Sequence, residues 1–554
     1  MNKSVSSKIG YKQWKADREN NQTKKSIYLN ANPISKEEYD QVVKKAKIVL
    51  DAVDIMDDYS QKKAESREIA FDTLNMASNE GGTYFSLALA AIVKKLTKGA
   101  DIAFKEVMSG DFKNIKKLTP AVLTFVIPMV IITIISSLWG SKKQIEGSRL
   151  GRIESIEKDL SSLNQFAVLD ENQEKTVHKI AQNIPDEQIP SEDDENIDIK
   201  KSFKDLLHGD KNLENKYYNF NSNINNQIAN IHTIKLSKEQ ELQAKKDKEL
   251  IQTIVEKVDI ASQEYSETAE LSTSTIRTFA FSSGGILGFI LDKVLANTAL
   301  AKASGKIGMA VYIIAGIVGS IISGKIELQA AKVGRYKAKK ELLENPQQLV
   351  YVEAEKYKNN DIKVKKAKKK GIFATLKQLF KDNKEYNEYL NTNALKNKKI
   401  KLAKEKIVLS EKQKADAKLL QNNTFKMFNK LDEFTQTYAE KTEAIGESVN
   451  NIFSNLLSAF QTVMATYAIF GKSKFKGGKM LAMVASLIPE FIINFITTKA
   501  QKKASKVGAM NAINSLDDPR HFASKSKDDI EFRANSKEKA LSPINQQYIL
   551  NNSK

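Results

Sequence analysis

The residues closest to a reactive-site motif are Gly319-x4-Gly324-Lys325, which imitate the opening of a phosphate-binding loop. Such a loop needs a Ser or Thr directly after the lysine to hold magnesium, and it follows a strand. Ile326 stands at that place and the stretch belongs to an apolar run, so nucleotide binding is not expected there. His178, His208, His232 and His521 are scattered, with no second ligand at metal-binding spacing. The absence of cysteine excludes disulfides, thiolate metal sites and cysteine nucleophiles. No nucleophile, metal or cofactor constellation emerges, and the chain is expected to be non-enzymatic, without a cofactor.

Two further groups carry charge where apolar residues surround them. Glu490 follows Pro489 inside an apolar segment, and Asp292 and Lys293 interrupt another. In hydrocarbon such groups are expensive and often mark ion paths, while in a protein-packed helix they pair or reach outward. The basic run Lys363, Lys365, Lys366, Lys368, Lys369 and Lys370 leads into a segment where Phe373 and Phe380 share a helical face with Ile372, Leu376 and Leu379. That cationic amphipathic pattern suits an anionic bilayer surface or an ordinary solvated helix. The whole chain has 87 basic and 67 acidic side chains in 554 residues, a formal charge of +20. Anionic lipid headgroups are the expected partner; nucleic acid is not, because no zinc finger, helix-turn-helix or aromatic strand motif accompanies the charge.

The elements that position these groups are helices. Only nine prolines interrupt the chain, leaving 34–119, 191–345 and 347–488 free of them, and Lys, Glu, Gln, Ala, Leu and Ile dominate with three- or four-residue apolar spacing. The fold class is therefore all-α. Within it lie six apolar arms: 83–97, 118–141, 278–301, 307–324, 448–471 and 480–498. Leu118 to Ser141 is uncharged over 24 residues, with Trp139 at its end where an indole would sit at headgroup level. The 307–324 arm has small residues every fourth position, Ala315, Gly319, Ser323 and Gly316, Ser320, Gly324, a face suited to close helix approach or homo-oligomers.

The arms fall into three hairpins with basic connectors, and each hairpin is followed by the pattern small, basic, aliphatic, glycine: Ser148 to Gly151, Ala331 to Gly334, Ser505 to Gly508. Gly151, Gly334 and Gly508 are read as close helix crossings. Downstream, Leu160, Leu343 and Leu516 each precede Phe166, Leu349 and Phe522 by six positions, with Leu163, Pro346 and Pro519 between them as helix stops. Upstream, Asp54 with Tyr59, Asp259 with Tyr265 and Asp432 with Tyr438 are taken as counterparts. The resulting organisation is a polar segment 1–33, a first repeat 34–180, an acidic linker and polar helix 181–235, a second repeat 236–360, a basic amphipathic segment 361–415, a third repeat 416–530 and a tail 531–554.

Three readings follow. The leading one is a multi-pass helical membrane protein acting as a scaffold or channel-like assembly. The second is an exported membrane-active effector or translocator that uses no signal peptide, since the first residues lack an apolar core. The third is a soluble helical structural protein.

Overall fold

Long stretches without proline, rich in strong helix formers, leave the backbone few alternatives to the helix, and the fold is all-α. The structure, a computed structural model, describes residues 36–96, 115–188, 199–208, 210–229, 236–295, 304–349, 372–470 and 478–523. Among them ten α-helices occur: α1 (Lys36–Leu96), α2 (Thr119–Lys158), α3 (Glu171–Gln182), α4 (Ile199–His208), α5 (Lys211–Ala229), α6 (Lys238–Leu295), α7 (Ser304–Glu344), α8 (Ile372–Glu405), α9 (Glu411–Phe470) and α10 (Gly478–Ser515). Three helices begin at reciprocal caps in which an oxygen side chain and a glutamine three residues on exchange backbone bonds: Asp170 with Gln173, Ser237 with Gln240, and Ser410 with Gln413. At the other end, α2, α7 and α10 each give way to a short 3-10 turn, at Leu163–Phe166, Pro346–Leu349 and Pro519–Phe522. Phe166, Leu349 and Phe522 close these turns and are buried.

The long helices pack in pairs: α1 with α2, α6 with α7, and α9 with α10. Between pairs the packing is cyclic, because α2 rests on α9, α7 on α1, and α10 on α6. The first helices of the pairs, α1, α6 and α9, also touch one another in the centre. The apolar core lies along their N-terminal halves: Val49, Leu50, Val53 and Met56 of α1 meet Ile251, Ile254, Val255 and Val258 of α6 and Met427, Phe428 and Leu431 of α9. Spacings of three and four residues keep each set on one helical face.

Beyond that core the interior becomes polar and the exterior apolar. In α2, Ser137, Ser141, Gln144 and Ser148 recur at three- and four-residue spacing and all are buried, while Ile131, Ile135 and Leu138 are exposed. In α7, Ser320, Ser323 and Glu327 are buried and Ile314, Val318 and Ile322 exposed; in α10, Thr498, Gln501 and Ser505 are buried and Ile492, Phe495 and Ile496 exposed.

This arrangement corrects the expectation of spanning arms. An uncharged run measures composition, whereas its direction-dependent content is a serine- and glutamine-bearing face turned into the protein. Among the described residues, no helix is long and apolar enough to cross a membrane. The multi-pass membrane protein, its scaffold or channel-like role in a bilayer and its membrane localisation are overturned by that finding. Trp139 packs its ring 5.8 Å from that of Phe71 on α1 and stays 37% exposed.

Candidate functional site

Directly after the central apolar core on each inner helix stands an aspartate: Asp57 after Met56, Asp259 after Val258, Asp432 after Leu431. All three are fully buried. One carboxylate oxygen from each lies within 4.8 Å of the others. The surrounding sequence recurs as D-x-x-[ST]-Q-x-x-x-E at Asp57 to Glu65, Asp259 to Glu267 and Asp432 to Glu440. At offsets of three, four and eight a helix returns to the same face, so hydroxyl, carboxamide and glutamate stack beyond the aspartates toward the C-terminal ends of the inner helices. Gln61, Gln263 and Gln436 are buried, as are Glu65, Glu267 and Glu440.

The register of this motif corrects one sequence alignment. A Cβ on Gly151 would overlap the carbonyl oxygen of Tyr59, one on Gly334 that of Ala261, and one on Gly508 that of Phe434. Each glycine thus meets the backbone two residues past an aspartate, and by this contact Asp57, not Asp54, holds the same position as Asp259 and Asp432. Tyr59 corresponds to Ala261 and Phe434, while Lys63 occupies the place of Tyr265 and Tyr438. The tyrosines serve the periphery: Tyr59 donates to Asp159 at 2.8 Å, Tyr265 to Asp382 at 2.7 Å, and Tyr438 accepts from Asn511 at 2.8 Å.

The partners of the aspartates come from neighbouring pairs. Asp57 Oδ2 accepts from Ser262 Oγ on α6 at 2.6 Å and from Arg335 Nη1 on α7 at 2.8 Å. Asp432 Oδ2 accepts from Ser60 Oγ on α1 at 2.9 Å, from Ser148 Oγ at 3.1 Å, and from Arg152 on α2. Arg152 and Arg335 each follow the crossing glycine directly, so the close approach of backbones delivers a guanidinium to the centre. In α10 the residue after Gly508 is Ala509, and no arginine arrives. Asp259 has Gln263 Nε2 at 3.5 Å, whose same nitrogen donates to Thr435 Oγ1 at 2.8 Å.

Arg335 also holds Asp54 at 2.9 Å and Asp58 at 2.5 Å, both half exposed. Burial works against its charge, yet Asp58, Asp57 and Asp54 together keep its pKa above the ordinary arginine value. Arg152 is likewise buried, and Asp432 with the Tyr217 and Glu433 charges outweighs that penalty. Burial pushes Asp57 up to about 7, with the Arg335 charge opposing and Asp432 adding to the rise. Asp259 is driven well above the usual carboxylate range by burial and then by Asp432 and Asp57, opposed by the Thr435 hydroxyl. Glu267, farther along α6, is pushed up to about 8 by burial against the pull of Lys502 and of Ser505, whose hydroxyl donates to it at 3.1 Å.

The residues singled out by sequence are distributed as follows. On α7, Gly319 and Ser320 are buried, Ala315 is half-buried, Ser323 donates to the Thr273 carbonyl on α6 at 3.3 Å, and a Cβ on Gly324 would strike Ile69 of α1. That small-residue face is occupied by other helices of the same chain. Gly316 belongs to α7, Asp292 and Lys293 to α6, Glu490 to α10 and Phe373 to α8, but their surroundings lie outside the described residues. Lys365, Lys366, Lys368, Lys369 and Lys370 lie outside them altogether. Phe380 is 73% exposed on α8. Asp259 and Asp432 are legible in the sequence as counterparts, whereas Asp57 is not, because the tyrosines set the register; the glycines carry the signal that finds it. No known family, curated protein or solved structure matches the chain.

Proposed function

We propose that this chain is a non-enzymatic helical structural protein, built from three copies of one helix-pair unit closed around a common axis. The observation that carries this reading is the recurrence of D-x-x-[ST]-Q-x-x-x-E on the inner helices, met each time by a glycine of the outer helix at the same offset. Cyclic contacts between pairs support closure, in contrast to a linear stack in which each unit touches only its neighbours. Much of the recurring polar chemistry is spent on mutual packing: the Ser60, Ser148 and Ser262 hydroxyls and the Arg152 and Arg335 guanidinium groups meet carboxylates of other helix pairs. In the groove between Lys257, Tyr265, Lys337, Lys340 and Glu341, the Lys257 ammonium is engaged by Glu341 at 2.6 Å.

A closed structure makes each unit depend on both others. A chain shortened to residues 1–415, lacking the third pair, should therefore lose its cooperative unfolding transition; two units that still melt together would refute closure. The structural role is tested by complementing a strain that lacks the chain. Axis variants should restore the phenotype in proportion to their folded abundance. A variant that keeps full folded abundance yet fails to complement would overturn the reading and make the axis a working site.

A further inference from the structure

The three aspartates are not balanced. Asp57 and Asp432 each receive a buried guanidinium, while Ala509 stands where the third would originate, leaving three buried carboxylates facing two guanidinium groups. Asp54 and Asp58 also pair with Arg335, while Glu433 near Arg152 is itself paired with Arg149 at 2.9 Å. The Oδ1 atoms of Asp57, Asp259 and Asp432 are buried and accept no hydrogen bond, although each Oδ2 of Asp57 and Asp432 is engaged several times over. A second kind of group is stranded beside them. Gln263 is almost completely buried, its nitrogen lies on Asp259, and its Oε1 also has no partner. Leaving such acceptors bare is costly, more so for charged oxygen.

We propose that Asp57, Asp259 and Asp432 hold a single hard cation on the axis where the three inner helices meet, a sodium- or calcium-class ion bound through oxygen alone. Geometry allows it, because oxygens no more than 4.8 Å apart can share a central point about 2.8 Å or less from each, close to the 2.3–2.6 Å of calcium coordination. The three carboxylates offer oxygen alone, without the nitrogen or sulfur that would favour zinc or copper. Magnesium holds its ligands at about 2.0–2.1 Å, closer than oxygens up to 4.8 Å apart favour. A proton on Asp259 would restore charge balance but bridges two carboxylates at most, whereas a cation at the common point meets one oxygen from each of the three. The missing arginine of α10 then has a physical counterpart: the ion supplies the positive charge that Ala509 does not. The site follows from these contacts whether or not the three units share an origin.

The test uses the full chain, dialysed into choline chloride at mildly alkaline pH, with elemental analysis for retained ions. Thermal unfolding is then followed while sodium, potassium, calcium or magnesium replaces choline at constant ionic strength. A saturable, cation-specific rise in midpoint is expected, with the unfolding constant reduced about a hundredfold when the ion reaches one hundred times its dissociation constant. The sodium and calcium arms separate the two ion classes. In Asp259→Asn the rise should vanish while the fold is retained, and in Ala509→Arg a guanidinium should replace the ion; if the latter fails to fold, Asp259→Asn decides. Equal midpoints in all salts with no retained ion, leaving a response to pH alone, would overturn the proposal. So would a cation-dependent rise that persists unchanged in Asp259→Asn.

Discussion

Replacing Gly334 by alanine sets two effects against each other with opposite signs. Inside a helix, alanine is favoured over glycine by about 1 kcal/mol, because glycine loses more backbone freedom on folding. On a free surface the substitution would therefore stabilise. At Gly334 the new Cβ would overlap the Ala261 carbonyl oxygen and lie 2.8 Å from its carbonyl carbon and 3.1 Å from the Ser262 nitrogen. All three atoms are backbone, so no rotamer change relieves the clash and α6 and α7 must separate. A gap of about 0.5–1 Å forfeits a quarter to a half of each dispersion contact along the seam. The same movement carries Ser262 away from its 2.6 Å bond to Asp57. Overpacking costs about 1–3 kcal/mol, and the upper part of that range applies here because backbone meets backbone. After the propensity gain, a net loss of about 2 kcal/mol is expected. Gly324 provides the internal comparison, since its Cβ would meet the far end of the Ile69 side chain, Cδ1 at 2.5 Å, which can turn aside; Gly324→Ala should cost less than half as much. Urea unfolding followed by far-UV circular dichroism measures both. A Gly334→Ala variant as stable as wild type, or more so, would refute the close crossing, and with it the register that places Asp57, Asp259 and Asp432 together.

Removing Arg335 as Arg335→Leu strands Asp57 and should cost about 3–5 kcal/mol. The double variant with Asp57→Asn should recover part of that loss, and additivity within about 0.5 kcal/mol in the urea cycle would show the pair to be uncoupled. Stability should fall at both ends of the pH range. Glu267, raised to about 8, favours the fold while protonated and withdraws that support as pH climbs through that value, so Glu267→Gln should flatten the alkaline limb. His521, lowered to about 4 by burial and by the Lys426 charge, favours the fold while neutral; support present above about 6.5 is lost as pH drops toward 4, and His521→Gln should flatten the acid limb. Melting curves across pH that keep both limbs in the variants would contradict these assignments. Tyr265→Phe removes the 2.7 Å bond to Asp382 and should cost about 1 kcal/mol while speeding amide exchange in α8 more than in α6. Uniform exchange in the two helices would place the tyrosine outside the attachment of α8.

The all-α class, the helix stops and the crossing glycines are local properties, and the chain encodes them locally. Pro346 and Pro519 cannot continue a helix, so they mark turns wherever the units lie in space. Gly151, Gly334 and Gly508 stand out because nothing in a helix interior calls for glycine except a neighbour too close for a Cβ. The direction in which a side chain points is a different kind of quantity. Asp54, Asp57 and Asp58 all sit on one turn of α1, and only contact with α6, α7 and α9 decides that Asp57 reaches the axis while Asp54 and Asp58 stay half exposed. The same ambiguity governed the apolar arms. Hydropathy along a sequence has no azimuth, so a run such as 118–141 reads alike whether its serines face lipid or protein. Pairing with α1 and α9 turned them inward, and that choice, like the absent third arginine at Ala509, acquires meaning only when three helices far apart in the chain converge on one point.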